Sequence, residues 1–238
     1  MDSTRKTAIV AGVVLIIATV ASIVGSKFVP LLTGTDYLTR VSENANQVAT
    51  EAMLSLIASL ASAGVAIALY PVLRKTKEGL ALGSVVFRAL EAVMYMVGPV
   101  CLLTLRTLGQ QFAAAGAADR ASLQAIGDSL VSVRDHAGLL GVFAFCLGGF
   151  IYYYLFYRAR LIPRWLSGFG IAAIILMGAA CVLSLFSDSP ITGYVALAAP
   201  IGVQEMLLAI WLIVKGFNSS AMAAESAEPA TQDALRTA

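Results

Sequence analysis

Three ionisable side chains fall in the middle of long apolar runs: Arg88 and Glu91 in residues 80–105, and Glu205 in residues 194–214. Left unpaired in hydrocarbon, each costs roughly 2.5–3.5 kcal/mol, so such groups are kept where they find partners or do work. Arg88 and Glu91 are three residues apart, on a helix face that also carries Ser84 and Tyr95. At 1.5 Å of rise per residue, two helices crossing in opposite senses bring Arg88, Glu91 and Glu205 to nearly one depth. The expected arrangement is Arg88 bridging Glu91 and Glu205. One positive charge does not balance two negative ones, so one carboxyl is expected to hold a proton, which is the starting chemistry of a proton relay or coupled-transport site. A clasp that only fixes helix register would use the same residues, because a buried ion pair is weak evidence for net stability. Tyr95, Gln204 and Ser59 are the supporting polar residues, and Ser59 shares one helix face with Ser55 and Ser62.

A second polar group, Arg134, Asp135 and His136, stands where residues 138–157 turn apolar, and His136 is the only histidine. An interfacial hydrogen-bonding histidine is the plain reading, and a pH-responsive gate the sharper one. Asp135 and His136, with Glu51 or Asp188 nearby, are also what an enzyme acting on lipid head groups would use.

The elements that must position these residues follow from composition. Hydrophobic residues make up 59% of the 238 and charged ones 13%, about half the usual share of roughly 25% in a soluble domain. Six apolar runs, 7–26, 52–73, 80–105, 138–157, 166–186 and 194–214, each approach the ~20 residues that span a hydrocarbon core. Backbone amides in lipid need partners within their own segment, and runs this long do not fit the short alternation of a barrel. The expected fold is an all-α integral membrane protein, a bundle of six transmembrane helices in one domain, 1–217. Residues 218–238, rich in Ala, Ser, Glu and Thr, are expected to be a disordered cytoplasmic tail. The first run follows Arg5 and Lys6 but is too long for a signal-peptide core and has five more behind it.

Charge sets an expected orientation. Arg5, Lys6, Arg74, Lys75, Lys77, Arg158, Arg160, Arg164, Lys215 and Arg236 share one face. Lys27, Arg40, Arg106, Arg120 and Arg134 are spread over longer loops on the other. Positive-inside bias then puts both termini in the cytoplasm, and Trp165, Trp211, Tyr152, Tyr153, Tyr154 and Tyr157 read as aromatic anchors at that interface. In the outer loop 106–135, Leu123, Ile126, Leu130 and Val133 recur at helical spacing. They predict an amphipathic helix lying on the outer surface between spans three and four. The first outer loop, through Asp36, Tyr37, Arg40 and Glu43, predicts another short helix.

Other classes lose their usual support. A formal charge of +2 does not point to nucleic acid. Cys101, Cys146 and Cys181 all lie in apolar runs and read as packing residues. A single histidine leaves no paired-histidine haem or His-rich metal site, and no lysine lies mid-span for a Schiff base. Gly-x-Ser-x-Gly, His-Glu-x-x-His and Gly-Lys-Ser/Thr are absent, so neither a catalytic residue, a metal nor a cofactor is expected.

Four ordered blocks carry a resemblance. They are Leu69-Tyr-Pro-Val-Leu-Arg74, Phe87-Arg-Ala-Leu-Glu91, Tyr154-Leu-Phe-Tyr-Arg-Ala-Arg-Leu-Ile-Pro-Arg-Trp-Leu-Ser167 and Gln204-Glu-Met-Leu-Leu-Ala-Ile-Trp-Leu-Ile-Val-Lys-Gly-Phe217. From the first run to Phe217 the chain resembles the bacterial membrane family filed as domain of unknown function 4386. The resemblance implies a multi-pass protein of the bacterial inner membrane and no particular activity. The family's Arg-x-x-Glu and Gln-Glu blocks fall on Arg88, Glu91, Gln204 and Glu205. The functional expectation is a non-catalytic protein of the lipid bilayer that binds or translocates a small solute or proton at this cluster. The alternative is a structural or sensory module, and the third reading is the head-group enzyme.

Overall fold

In a computed structural model, residues 3–187 and 190–222 are described, so Asp188 and residues 223–238 lie outside the described residues. Among the described residues every regular element is helical: α1 (Ser3–Ser26), α2 (Tyr37–Glu43), α3 (Ala45–Ala114), α4 (Ala117–Ala159), α5 (Arg164–Leu185) and α6 (Val195–Val214), with short 3₁₀ turns at Val29–Leu32 and Ile191–Tyr194. Five helices are long and apolar enough to cross a membrane, namely α1, α3, α4, α5 and α6 with its preceding turn.

The longest of these is a hairpin. Helical geometry in α3 breaks at Lys77, whose φ of −160° and ψ of 102° are extended. The arms 45–76 and 78–114 then run antiparallel, because Ser62 donates to Glu91 and because Val48 and Ala52 share one core cluster with Leu102 and Leu105. Two of the six apolar runs are therefore the two arms of α3.

The helices close into a ring, with α1 against α3 and α6, α5 against α6 and α4, and α4 against α3. The main core inside it gathers Leu15, Leu69, Phe145, Phe156, Leu166 and Leu208. The outside is apolar as well: Val86, Leu90, Val93 and Val100 on the second arm of α3 are each about half exposed, away from buried Arg88 and Glu91. An exposed apolar belt on the helix faces opposite a buried ion pair suits lipid and not water.

Beyond this ring, α2, both ends of the α3 hairpin and the start of α4 enclose a second core of Tyr37, Leu38, Val41, Val48, Leu102 and Leu105. The expected short helix in the first outer loop is α2. The expected amphipathic surface helix is corrected. Its residues are helical but form the first part of α4, a continuous helix of 43 residues and about 64 Å. That stretch continues the helix of the fourth apolar run and packs Leu123 and Leu130 against the second core while Ile126 and Val133 stay exposed.

Two aromatic anchors are also corrected. Tyr152 and Tyr153 are 1% and 0% exposed, inside the bundle, while Tyr154, Tyr157 and Trp165 remain exposed. After Phe217, where a tail is expected, the Asn218 N–H donates to the Leu161 carbonyl at 2.8 Å and Met222 is buried against the main core. The start of that stretch belongs to the fold.

Candidate functional site

Arg88 and Glu91 lie on the second arm of α3, facing α4 and the first arm. Their ion pair is closed at 3.1 Å between Nη1 and Oε2, and the side chains are 1% and 2% exposed. Ser62, on the opposite arm, donates from Oγ to Glu91 Oε1 at 2.6 Å, while its carbonyl accepts from Arg88 Nη2 at 3.4 Å. The guanidinium carbon lies 4.6 Å from the Phe145 ring centre and 6.0 Å from that of Tyr152, so ring faces of α4 replace part of its hydration. Gly148 makes this approach possible: a Cβ there would stand 2.9 Å from Arg88 Cγ. Ser84, one turn before Arg88, donates to the Gly148 carbonyl at 3.0 Å.

The predicted bridge is thus half present. Arg88 pairs with Glu91, but no ion pair joins it to Glu205 among the described residues. Glu205, partly buried on α6, instead accepts from Thr19 Oγ1 of α1 at 3.3 Å. Its neighbour Gln204 is fully buried and turned elsewhere, accepting from the Tyr153 hydroxyl of α4 and donating to the Leu166 carbonyl of α5 at 3.2 Å. Ser59 is buried but donates to the Ser55 carbonyl of its own helix at 2.7 Å, so Ser62 is the serine that reaches the cluster. Tyr95 packs on Gly141 of α4.

The outer group assembles around a residue only noted in the sequence. Glu51, 5% exposed at the start of α3, faces Arg134 of α4 with 3.6 Å between Oε1 and Nη2, and accepts from Ser55 Oγ at 3.1 Å. Arg134 also pairs with the exposed Asp135 at 2.9 Å. His136 turns away from Asp135, its Nδ1 lying 2.8 Å from the Ser132 carbonyl of its own helix. Asp135 and His136 therefore do not converge as an acid and base.

A hydroxyl is hydrogen-bonded to each of these three carboxyls: Ser55 to Glu51, Ser62 to Glu91 and Thr19 to Glu205. Sequence reasoning passed over Thr19, Phe145 and Gly148. The available signal was a threonine in a charge-free run and a Gly148-Gly149 pair at the depth of the cluster, since small residues mark close helix approach.

Long apolar helices around an apolar core with one sealed ion pair define the class as an all-helical, membrane-type protein. Residues 10–216 match the family described as Domain of unknown function (DUF4386), and the chain belongs to that family. No curated protein and no solved structure gives a significant match.

Proposed function

We propose that this chain is a six-span protein of the bacterial inner membrane, with both ends in the cytoplasm, acting as a non-catalytic structural or sensory module. In this reading the Arg88–Glu91 clasp fixes the packing of α3 on α4. The observation that carries it is the seal around Arg88, which is 1% exposed between Phe145, Gly148 and the opposite arm of α3. A charge so enclosed has no route to a solute without opening the bundle. Neither the cavity at the α5–α6 end nor the one at residues 43–47 borders on Arg88, Glu91 or Glu205.

The test is thermal unfolding in detergent. Arg88→Gln leaves Glu91 buried without its counter-charge and is expected to cost about 3–5 kcal/mol, whereas the apolar pair Arg88→Met with Glu91→Leu recovers most of the loss. An unchanged or raised melting temperature in Arg88→Gln would sink the clasp.

Proton binding is the second reading, moved from the trio to Glu205 alone. Glu205 is half-buried in mid-helix and, among the described residues, its carboxyl accepts a hydrogen bond from Thr19. Proton flux in liposomes that exceeds empty vesicles and is lost in Glu205→Gln would support it. Flux equal to that of empty vesicles would remove it.

A further inference from the structure

The end of the bundle where α1 begins and α6 stops carries an open cavity of about 500 Å³. It lies between the α4–α5 connection, Arg160 to Pro163, the first residue of α5, Arg164, and the end of α6 with Trp211 and Lys215. Three cations line it and no acidic residue does. Among the described residues none of Arg160, Arg164 and Lys215 has a carboxylate within 4.0 Å.

The backbone around the cavity is arranged for an anion. The first N–H groups of α5, at Arg164 and Trp165, have no carbonyl one turn earlier within the helix. The carboxyl end of α6 would repel an anion, but Arg5 covers it: its guanidinium donates to the carbonyls of Leu212 at 3.0 Å, Ile213 at 2.5 Å and Val214 at 3.3 Å. The wall is rigid. Arg160 closes α4 in the left-handed conformation at φ 54°, and Asn218 reaches back to the Arg160 and Leu161 carbonyls. Trp211 and Phe217 supply an apolar side, and the exposed Trp165 stands next to it.

We propose that this cavity binds a phosphate group, with Arg160, Arg164 and Lys215 as its ligands. A cationic pocket between membrane helices with an aromatic wall fits the head group of an anionic phospholipid, and the same cations would hold free phosphate. The inference is independent of the clasp, which lies on α3 and α4.

Trp165→Phe leaves Trp211, on the cavity wall, as the only tryptophan. The full chain in a neutral detergent is titrated with dihexanoyl phosphatidylglycerol, dihexanoyl phosphatidylcholine and inorganic phosphate while Trp211 fluorescence is followed. A saturable change with phosphatidylglycerol, at least about tenfold weaker in Arg164→Gln with Lys215→Gln, is expected. Lys75→Gln with Lys77→Gln removes charge elsewhere and should shift binding less than about twofold. Inorganic phosphate that displaces the lipid points to free phosphate as the source, and lipid binding that phosphate does not compete with points to the head group; both support the site. If the double variant aggregates, Arg160→Gln and Lys215→Gln are titrated singly, each expected to be about fivefold weaker. Wild-type affinity in the cavity variants, an equal loss in the Lys75 and Lys77 control, equal binding of phosphatidylcholine, or no saturable signal would each overturn the proposal.

Discussion

Ser62 Oγ lies 2.6 Å from Glu91 Oε1, joining two arms of one helix across 29 residues of sequence. Ser62 and Glu91 stand nearly equidistant from Lys77, where the helix breaks, so the bond records the register of the hairpin. It also gives the carboxyl oxygen that is not paired with Arg88 a partner inside the bundle, where Glu91 is about 1% exposed.

Removing that hydroxyl leaves a buried acceptor unsatisfied. Ser62→Ala is expected to cost about 1–3 kcal/mol, read as a lower melting temperature in detergent. Ser59→Ala, one turn earlier, removes a bond to its own helix backbone and should cost well under 1 kcal/mol, since such back-bonding adds little to a helix. Equal losses in the two variants would mean that Glu91 draws nothing from Ser62.

The close approach at Gly148 makes a steric prediction. A methyl group there meets Arg88 Cγ at 2.9 Å and the Arg88 backbone nitrogen at 3.2 Å, so α3 and α4 must separate. Gly148→Ala is expected to destabilise by about 1–3 kcal/mol, the usual cost of overpacking. Gly178 of α5 has nothing within 4 Å of the same position, and Gly178→Ala should be neutral or stabilising by up to about 1 kcal/mol through helix propensity. A tolerated Gly148→Ala would show that the Arg88 pocket is loose.

What could be read from the sequence was what is local. Apolar runs mark helices, and Arg88 and Glu91 pair because three residues put them on one face. Partners across helices depend on rotation about each axis, which hydropathy does not report. Gln204 and Glu205 show this: consecutive residues point about 100° apart, so Gln204 meets α4 and α5 while Glu205 meets α1. The same limit placed Tyr152 and Tyr153 at an interface, since only packing separates them from Tyr154 and Tyr157 in one aromatic cluster. Residues 106–135 read as a connection holding a separate surface helix because their polarity interrupts the apolar runs, and hydropathy does not report that a polar helix is continuous with the apolar one after it.

The six-span arrangement is tested at the hairpin. The native cysteines are free and buried, and replacing all three by alanine gives a background for single labelling sites. If α3 crosses twice, Lys77→Cys should react with an impermeant maleimide only from the side that also labels Arg5→Cys. Asn46→Cys, at the far end of the first arm, should react only from the opposite side. Labelling of Lys77→Cys and Asn46→Cys from one side would reduce α3 to a single crossing or none.

The second core has its own pH signature. Tyr37, 3% exposed on α2, donates to Asp128 Oδ1 of α4 at 3.0 Å, and Gln124 donates to the same oxygen at 2.9 Å. Burial first, then the hydrogen bond and the charge of Asp128, push the Tyr37 hydroxyl above its ordinary range. A group whose folded value is raised stabilises the fold fully below its unfolded value, here about 10, and loses that contribution as pH rises from there towards the folded value. Tyr37→Phe should therefore cost about 1 kcal/mol near neutrality for the lost hydrogen bond. The advantage of the wild type over Tyr37→Phe should shrink between about pH 9 and 11.5, because only the wild-type unfolded chain gains by ionising this hydroxyl. Paired denaturation curves across that range measure the difference directly, with the other tyrosines common to both proteins. An advantage that stays constant or grows with pH would show that Tyr37 is not held neutral against Asp128, and that the second core alone seats α2.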